Sequence, residues 1–284
     1  MRYAVDVPNF GAFGDTRILA DLAKLTEDAG WDGFFIWDHI HWRPFAHVDP
    51  WVALTAIALN TQRIRIGPMI TPIPRRRPHK LARETVSVDH LSNGRLILGV
   101  GSGGGEDEYD NLGEAETPQR RGAQLDEGLE VLTALWSGEV VNHTGDHFKV
   151  VNTQFLPTPV QQPRIPIWVG GFWPNKKPMR RAARYDGVFP LTHGSQGGVP
   201  SVEEVRAVVE YIAAERGNRD FDVARVGRSS GKPVEDRALV EPFAEVGVTW
   251  WLEDGSPWAF GWSGQGEWPV AAIRARIAQG PPRG

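Results

Sequence analysis

Short apolar or β-branched runs alternate along the chain with longer segments whose apolar residues recur every three or four positions. The first pattern predicts strands and the second amphipathic helices. Strand Arg2–Val7 is followed by a helix over Asp15–Ala29, with Asp15 as N-cap and Gly30 as stop. The same alternation then gives strand Gly33–Trp37 and helix Pro50–Asn60, strand Arg63–Ile70 and helix His79–Leu91, and strand Arg95–Val100 and helix Gln119–Trp136. It continues with strand Pro166–Val169 and helix Lys177–Tyr185, strand Gly187–Pro190 and helix Val202–Arg216, strand Asp222–Val226 and helix Val234–Val246, and strand Val248–Leu252 and helix Glu267–Ala278. Eight βα units suit a (β/α)8 TIM barrel, which needs about 250 residues. A doubly wound sheet has fewer strands and a dinucleotide fingerprint near the first one. Two stretches depart from the repeat. Residues 138–164 alternate around Val140-Val141 and Phe148–Val150 with Gly145 between, which predicts a small hairpin insertion. The Trp-rich stretch Gly255–Trp268 predicts a long loop after the eighth strand. No linker interrupts the pattern, so one domain over residues 1–284 is expected.

Composition narrows the class. Hydrophobic residues make up 41% and charged residues 23% of 284, as in an ordinary soluble globular protein. The formal net charge of −4 opposes a general nucleic-acid partner, which calls for a basic surplus. No apolar run approaches the roughly 18 residues of a membrane helix. Met1–Pro8 shows no signal-peptide pattern, so a cytoplasmic protein with a small-molecule partner is expected. The absence of cysteine excludes disulfides, zinc ribbons, iron–sulfur clusters and cysteine nucleophiles. Twelve tryptophans suggest, beyond structural use, a pocket for something flat or apolar.

In a barrel of this kind the chemistry sits at the C-terminal ends of the strands. The residues there are Trp37, Asp38, His39, His41 and Trp42 after strand two; Met69, Ile70 and Thr71 after strand three; Gly101–Gly105 with Glu106 and Asp107 after strand four; and Gly170, Gly171, Phe172 and Trp173 after strand five. Thr192 and His193 follow strand six, Gly227–Ser230 strand seven, and Glu253 and Asp254 strand eight. An imidazole titrates near neutral pH and can handle a proton in a redox step, and a neighbouring carboxylate can orient it, so Asp38-His39 is the first candidate for catalysis. The alternative is that His39 ends a strand and Asp38 binds backbone. Glycine turns let backbone N–H groups approach a phosphate or planar ring, although at strand-to-helix turns glycine also serves simply for its φ range. Five small residues in Gly101–Gly105 exceed what one tight turn needs, and Ser102 adds a hydroxyl. Glu106 and Asp107 are candidate acids, set against a solvated acidic loop that also holds Glu108 and Asp110. Arg75-Arg76-Arg77 could meet an anionic ligand tail, but such runs are more often solvated. Trp250 and Trp251 are neighbours in a strand, so one should face the barrel interior and the other the helices.

Several segments together resemble the bacterial luciferase-like superfamily of flavin- and deazaflavin-dependent oxidoreductases. They are Ala29-Gly-Trp-Asp-Gly-Phe-Phe35 leading to Trp37-Asp-His39, Thr61-Gln-Arg-Ile-Arg-Ile-Gly67, Asp89-His-Leu-Ser-Asn-Gly-Arg95 leading to Leu98-Gly-Val-Gly101, Asp126–Trp136, and Pro166-Ile-Trp-Val-Gly-Gly171. The resemblance covers nearly the whole chain. It implies a (β/α)8 barrel holding the ring of a deazaflavin (coenzyme F420) or of FMN at the strand C-termini. The Asp-His pair after strand two resembles the deazaflavin branch, which implies His39 as the proton-handling residue beside the ring and Asp38 near it, with Glu106 the nearest match to an acid found in some relatives. A non-proline cis peptide is implied around Met69–Ile70. Met69, Ile70, Thr71, Gly101, Ser102, Gly103, Gly170, Gly171 and Phe172 are then expected against the cofactor, and Trp37, Trp42, Trp173 and His193 around an apolar or aromatic substrate. Relatives of this kind often dimerise, so a homodimer is possible on that ground. FMN-dependent monooxygenation is the alternative within the superfamily.

A metal-dependent hydrolase barrel is the rival outside it: His39-x-His41 with His193 and Asp254 has metal-ligand character. Against it, strand one ends Asp6-Val-Pro8 with no histidine pair, and no Lys or His directly follows strand five. No metal is therefore expected. A non-catalytic binding barrel is a third reading.

Overall fold

The computed structural model describes residues 1–105, 107–114, 117–193, 198–217 and 220–283. Strands and helices alternate through them as β1 (Arg2–Val7), α1 (Thr16–Asp28), β2 (Gly33–Ile36), α2 (Pro50–Asn60), β3 (Arg65–Pro68), β4 (Thr71–Pro72), α3 (Pro78–Leu91), β5 (Leu98–Gly101) and α4 (Pro118–Trp136). Then come β6 (Val140–Thr144), β7 (Lys149–Gln154), β8 (Ile167–Trp173), α5 (Lys176–Ala182), β9 (Gly187–Thr192), α6 (Val202–Arg216), β10 (Asp222–Gly227), α7 (Pro233–Glu245), β11 (Trp250–Asp254) and α8 (Val270–Ala278). Several helix starts are set by a capping side chain. Asp15 accepts from the Arg17 N–H, Asp49 from those of Trp51 and Val52, and Ser201 forms a capping box with Glu204.

Nine strands pair in parallel in the order β3-β2-β1-β11-β10-β9-β8-β5-β4. The ends of that order meet. Ile66 of β3 bridges Leu96, with the Ile66 N–H donating to Arg95 O at 3.1 Å and the Ile97 N–H to Ile66 O at 2.9 Å. β3 and β4 are therefore two halves of one barrel strand, parted at a cis Met69–Ile70 peptide. The sequence pattern over Arg63–Ile70 shows an unbroken strand, because the run stays apolar across the break. The fold is an eight-position (β/α)8 barrel. β6 and β7 pair antiparallel in the insertion after α4, as the alternation around Gly145 predicts.

Two apolar layers result. Ala4, Phe35, Met69, Ile97, Trp168, Phe189, Ala224, Trp250 and Leu252 fill the barrel. Phe35, Trp168 and Trp250 meet there with ring centroids 5.4 to 6.0 Å apart. Trp251 belongs to the outer layer between strands and helices, so the neighbouring tryptophans split between the faces as strand alternation requires. Bulky aromatics plug the lower barrel, leaving the C-terminal mouth as the place for a ligand. β8 runs on through Trp173, where the sequence suggests a turn at Gly170-Gly171; pairing with β9 from Trp168 to Trp173 carries the glycines as strand.

Candidate active site

Four charged groups of alternating sign and an imidazole run under the loop after β2. Asp38, 3% exposed, accepts from Thr71 Oγ1 at 2.7 Å, from Arg75 Nη2 at 2.9 Å and from Arg76 Nη2 at 2.7 and 2.8 Å. Arg75 Nη2 also donates to the Asp38 carbonyl at 2.8 Å, and its Nη1 lies 3.0 Å from Glu108 Oε1. Glu108 Oε2 then faces His39 Nδ1 at 3.1 Å, and its Oε1 accepts from the Ile40 N–H at 2.7 Å. The order is Arg76, Asp38, Arg75, Glu108, His39. Buried charges are tolerable only when paired and hydrogen-bonded, and here each acid lies between donors.

This geometry corrects three expectations. The carboxylate that orients His39 is Glu108; Asp38, the predicted partner, has both oxygens committed to Thr71 and the two arginines. Glu108, weighed as part of a solvated acidic loop, is 7% exposed. Arg75 and Arg76, read as a solvated basic run, bury their side chains to 4% and 16% exposure in ion pairs. Glu106 lies outside the described residues.

Burial by itself would raise the Glu108 pKa, but the His39 hydrogen bond and charge, Arg75 and the Ile40 N–H together lower it to about 2. A carboxylate whose pKa is depressed on folding stabilises the native state above its unfolded value. That contribution disappears as pH falls from about 4.5 through about 2. The expected size is about 3 kcal/mol. Glu108→Gln should therefore be clearly less stable than wild type at pH 7 and should converge with it near pH 2 in urea unfolding. Parallel profiles for the two proteins would show that Glu108 carries no such charge coupling.

The backbone around His39 is fixed by Asn9, which is fully buried. Its Oδ1 accepts from the His39 N–H at 3.1 Å and its Nδ2 donates to the carbonyls of His39 and Val48, both at 2.8 Å. The imidazole side chain is 33% exposed, with Nδ1 toward Glu108. Aromatic rings surround it. Phe10 lies 5.7 Å away edge-on, Trp37 5.8 Å and Trp42 5.5 Å. Trp258, from the loop after β11, lies parallel to Trp37 and stacks on Trp42 at 5.6 Å.

On the same side of the barrel mouth, past the β3/β4 strand that adjoins β2, glycines of β5 and β8 make room for one side chain. A Cβ on Gly101 would stand 2.1 Å from Ile70 Cδ1, and one on Gly170 would stand 2.7 Å from the same atom. Ile70, beside the cis peptide, thus lies flat against strand backbone as a low apolar wall. Gly103 gives way to the Tyr109 hydroxyl, which donates to the Ser102 carbonyl at 3.3 Å. Gly171 turns the other way. Its missing Cβ faces Pro178 of α5 at 2.2 Å, so its size is explained by helix packing. Phe172 is 40% exposed and stacks on His193 at 4.3 Å and 10°. Trp173, expected in the substrate pocket, points outward to Tyr211 of α6 and lies under Lys176 Nζ at 3.4 Å. It alternates with Phe172 and so takes the opposite face of β8.

Residues missed from the sequence are Glu108, Asn9, Phe10, Arg75 and Trp258. Tyr109 beside Glu108 was the available signal, since a large aromatic in an acidic glycine loop marks a segment folded back onto the protein. A metal hydrolase would need His39, His41, His193 and Asp254 around one point; among the described residues no three such side chains gather. Also among these residues, no helix is long and apolar enough to cross a membrane.

A (β/α)8 barrel with an acid-oriented histidine, an aromatic rim and a glycine-backed apolar wall at its mouth is the architecture of a barrel enzyme with a flat ligand. The model of the luciferase-like monooxygenase family matches residues 9–230, and the chain belongs to that family of oxidoreductases. A protein of uncharacterised function from Mycobacterium tuberculosis is 32% identical over 81% of this chain and 84% of its own length. An F420-dependent glucose-6-phosphate dehydrogenase from Tsukamurella paurometabola is 29% identical over 90% of this chain and 72% of its own. Among solved structures, an F420-dependent secondary alcohol dehydrogenase in complex with an F420-acetone adduct superposes with a TM-score of 0.78, covering 99% and 98% of the two chains at 18% identity. The oxygenating constituent of 3,6-diketocamphane monooxygenase from Pseudomonas putida, in complex with FMN, gives 0.66 over 86% and 73% at 19% identity.

Proposed function

We propose that the protein is a deazaflavin-dependent (coenzyme F420) oxidoreductase that moves a hydride to or from a small organic substrate with an apolar or aromatic body. The observation that carries this reading is His39, whose Nδ1 is held by a buried, ionised Glu108 while its ring stays open to the mouth. The F420-dependent relatives named above support the same cofactor.

The residues fit a planar ring. Ile70, backed by Gly101 and Gly170, offers a flat apolar face, and the Gly101–Gly105 turn offers backbone donors for the more polar part of the group. A bound deazaflavin supplies the hydride acceptor or donor, and the protein supplies everything around it. Glu108 fixes the Nδ1–H tautomer of His39 and stabilises the imidazolium, so Nε2 is the atom that takes or returns the proton of a substrate hydroxyl. Trp37, Trp42 and Trp258 exclude water and hold the substrate's body. Asn9, Asp38, Arg75 and Arg76 keep the loop that carries His39 in register.

The test is an anaerobic equilibrium titration with oxidised deazaflavin and, separately, FMN, followed by cofactor fluorescence. Tight deazaflavin and weak FMN binding are expected. The reverse would move the enzyme to the FMN-dependent monooxygenase alternative, and binding of neither would sink the cofactor assignment. Gly101→Val should weaken the preferred cofactor at least about tenfold, because its side chain must push Ile70 off the wall. Unaltered affinity in a folded Gly101→Val protein would mean that the turn serves packing alone.

A further inference from the structure

Two carboxyl groups stand side by side on the inner face of the barrel where β11 meets β1. Asp6 and Asp254 are register partners on these parallel strands. Ala4 and Leu252, two residues below them, belong to the interior cluster, while Val5, Val7 and Trp251 pack outward. Alternation therefore turns both acids toward the axis at the mouth, opposite the wall at β5 and β8. Asp6 is 3% exposed. Its Oδ2 accepts from Trp37 Nε1 at 3.0 Å, and its Oδ1 is buried with no hydrogen-bond partner. Asp254 is half-buried, and its Oδ1 accepts from the Ser256 N–H at 2.8 Å. Among the described residues neither acid has an ion pair. The nearest cationic influence is Arg228, beside Asp254, which gives one N–H to the Ala259 carbonyl.

Two adjacent carboxyls without a paired cation cannot both ionise cheaply. Burial drives the Asp6 pKa well up and the Asp254 charge adds to this, against the opposing Trp37 bond; burial raises Asp254 as well. A proton on Asp6 Oδ1 turns an orphaned acceptor into a donor, and the neighbouring acceptor in register is the Asp254 carboxyl. The more exposed oxygens of the pair are on Asp254, beside the loop that brings Trp258 over the mouth.

We propose that Asp6 and Asp254 share one proton and that Asp254 is the polar anchor for substrate, selecting neutral hydroxyl-bearing molecules over anions. A substrate hydroxyl other than the one His39 handles donates to the exposed Asp254 oxygen, while a carboxylate or phosphate at this position meets the pair's remaining negative charge. The assignment deepens the function proposed above and rests on the mouth being its substrate site.

Two measurements test it. The first is the thermal midpoint of wild type and Asp6→Asn between pH 4 and 9. A raised native pKa gives stability that is complete below the unfolded value and lost as pH rises through the native one. The midpoint of Asp6→Asn relative to wild type should therefore climb by about 3 °C or more over this range. The groups facing the pair from packed elements are Trp37, Ser256 and Arg228. A flat difference overturns the shared proton. The second is calorimetric binding of cyclohexanol and cyclohexanecarboxylate, with and without deazaflavin. Wild type should favour the alcohol at least tenfold, and Asp254→Asn should shrink that preference to about threefold or less. Equal affinities, no binding of the alcohol to wild type, or an unchanged preference in Asp254→Asn overturns the anchor. A protein that keeps the preference but binds no deazaflavin would refute the cofactor reading and leave the carboxyl pair standing.

Discussion

His39→Ala should lower turnover by about 10²-fold or more while cofactor affinity stays within about tenfold, the scale expected for loss of a positioned acid–base group. The asymmetry follows from the geometry. The flat wall that would support a ring is built by Ile70, Gly101 and Gly170, from the β3/β4 strand, β5 and β8 and not from the β2 loop, so removing the imidazole leaves it intact. The loop itself is held by backbone bonds from Asn9 and by the Ile40 N–H on Glu108, none of which needs the His39 side chain. What disappears is Nε2. Glu108 then loses one of the contacts that holds its pKa near 2, but Arg75 and the backbone N–H remain. His39→Gln separates roles further, because an amide can still hydrogen-bond Glu108 but cannot carry a proton at neutral pH. It should be as slow as His39→Ala, with stability closer to wild type. Steady-state and single-turnover rates with a competent substrate, read beside deazaflavin affinity, check both variants. Unchanged turnover in His39→Ala would remove His39 from the chemistry.

The repeat of apolar runs and amphipathic segments made the barrel legible, because each strand buries both faces and each helix only one. The insertion hairpin and the split of Trp250 and Trp251 were legible for the same reason. Strand ends were less so. The break at Met69–Ile70 and the extension of β8 through Trp173 depend on pairing with neighbours far along the chain, and local pattern does not carry that information. At the site, His39 and the glycines were found from strand ends and family resemblance. The choice between Asp38 and Glu108 as the orienting acid was not, since both are acids near a strand end. Only the fold shows that one is saturated by Thr71, Arg75 and Arg76 and the other reaches the imidazole. Asp6 was hidden similarly: a single acid in an apolar strand acquires meaning from Asp254, which lies at the other end of the sequence.

Asp38→Ala should cost about 3–5 kcal/mol of stability, the range for breaking a buried ion pair from one side. The side chain is completely buried, with Arg75 at 4% and Arg76 at 16% exposure. Removing the carboxylate leaves Arg76 without its counter-charge, Arg75 with Glu108 alone, and the buried Thr71 hydroxyl without its acceptor. Asp38→Asn keeps the shape and one acceptor oxygen but not the charge, so it should fall between wild type and alanine. The sign of a second change distinguishes charge from packing. Arg76→Met in the Asp38→Ala background removes the stranded cation and keeps an apolar stem, so it should restore part of the loss. The same Arg76→Met change in wild type should destabilise, because Asp38 then loses a donor. Urea unfolding with linear extrapolation gives all four stabilities, and the coupling term comes from the cycle. Asp38→Ala within about 1 kcal/mol of wild type would show that the ion chain under His39 is solvated in solution. A loss of the expected size, with turnover falling only as far as the unfolded fraction demands, would establish Asp38 as the anchor of the loop and leave proton handling to the His39–Glu108 pair.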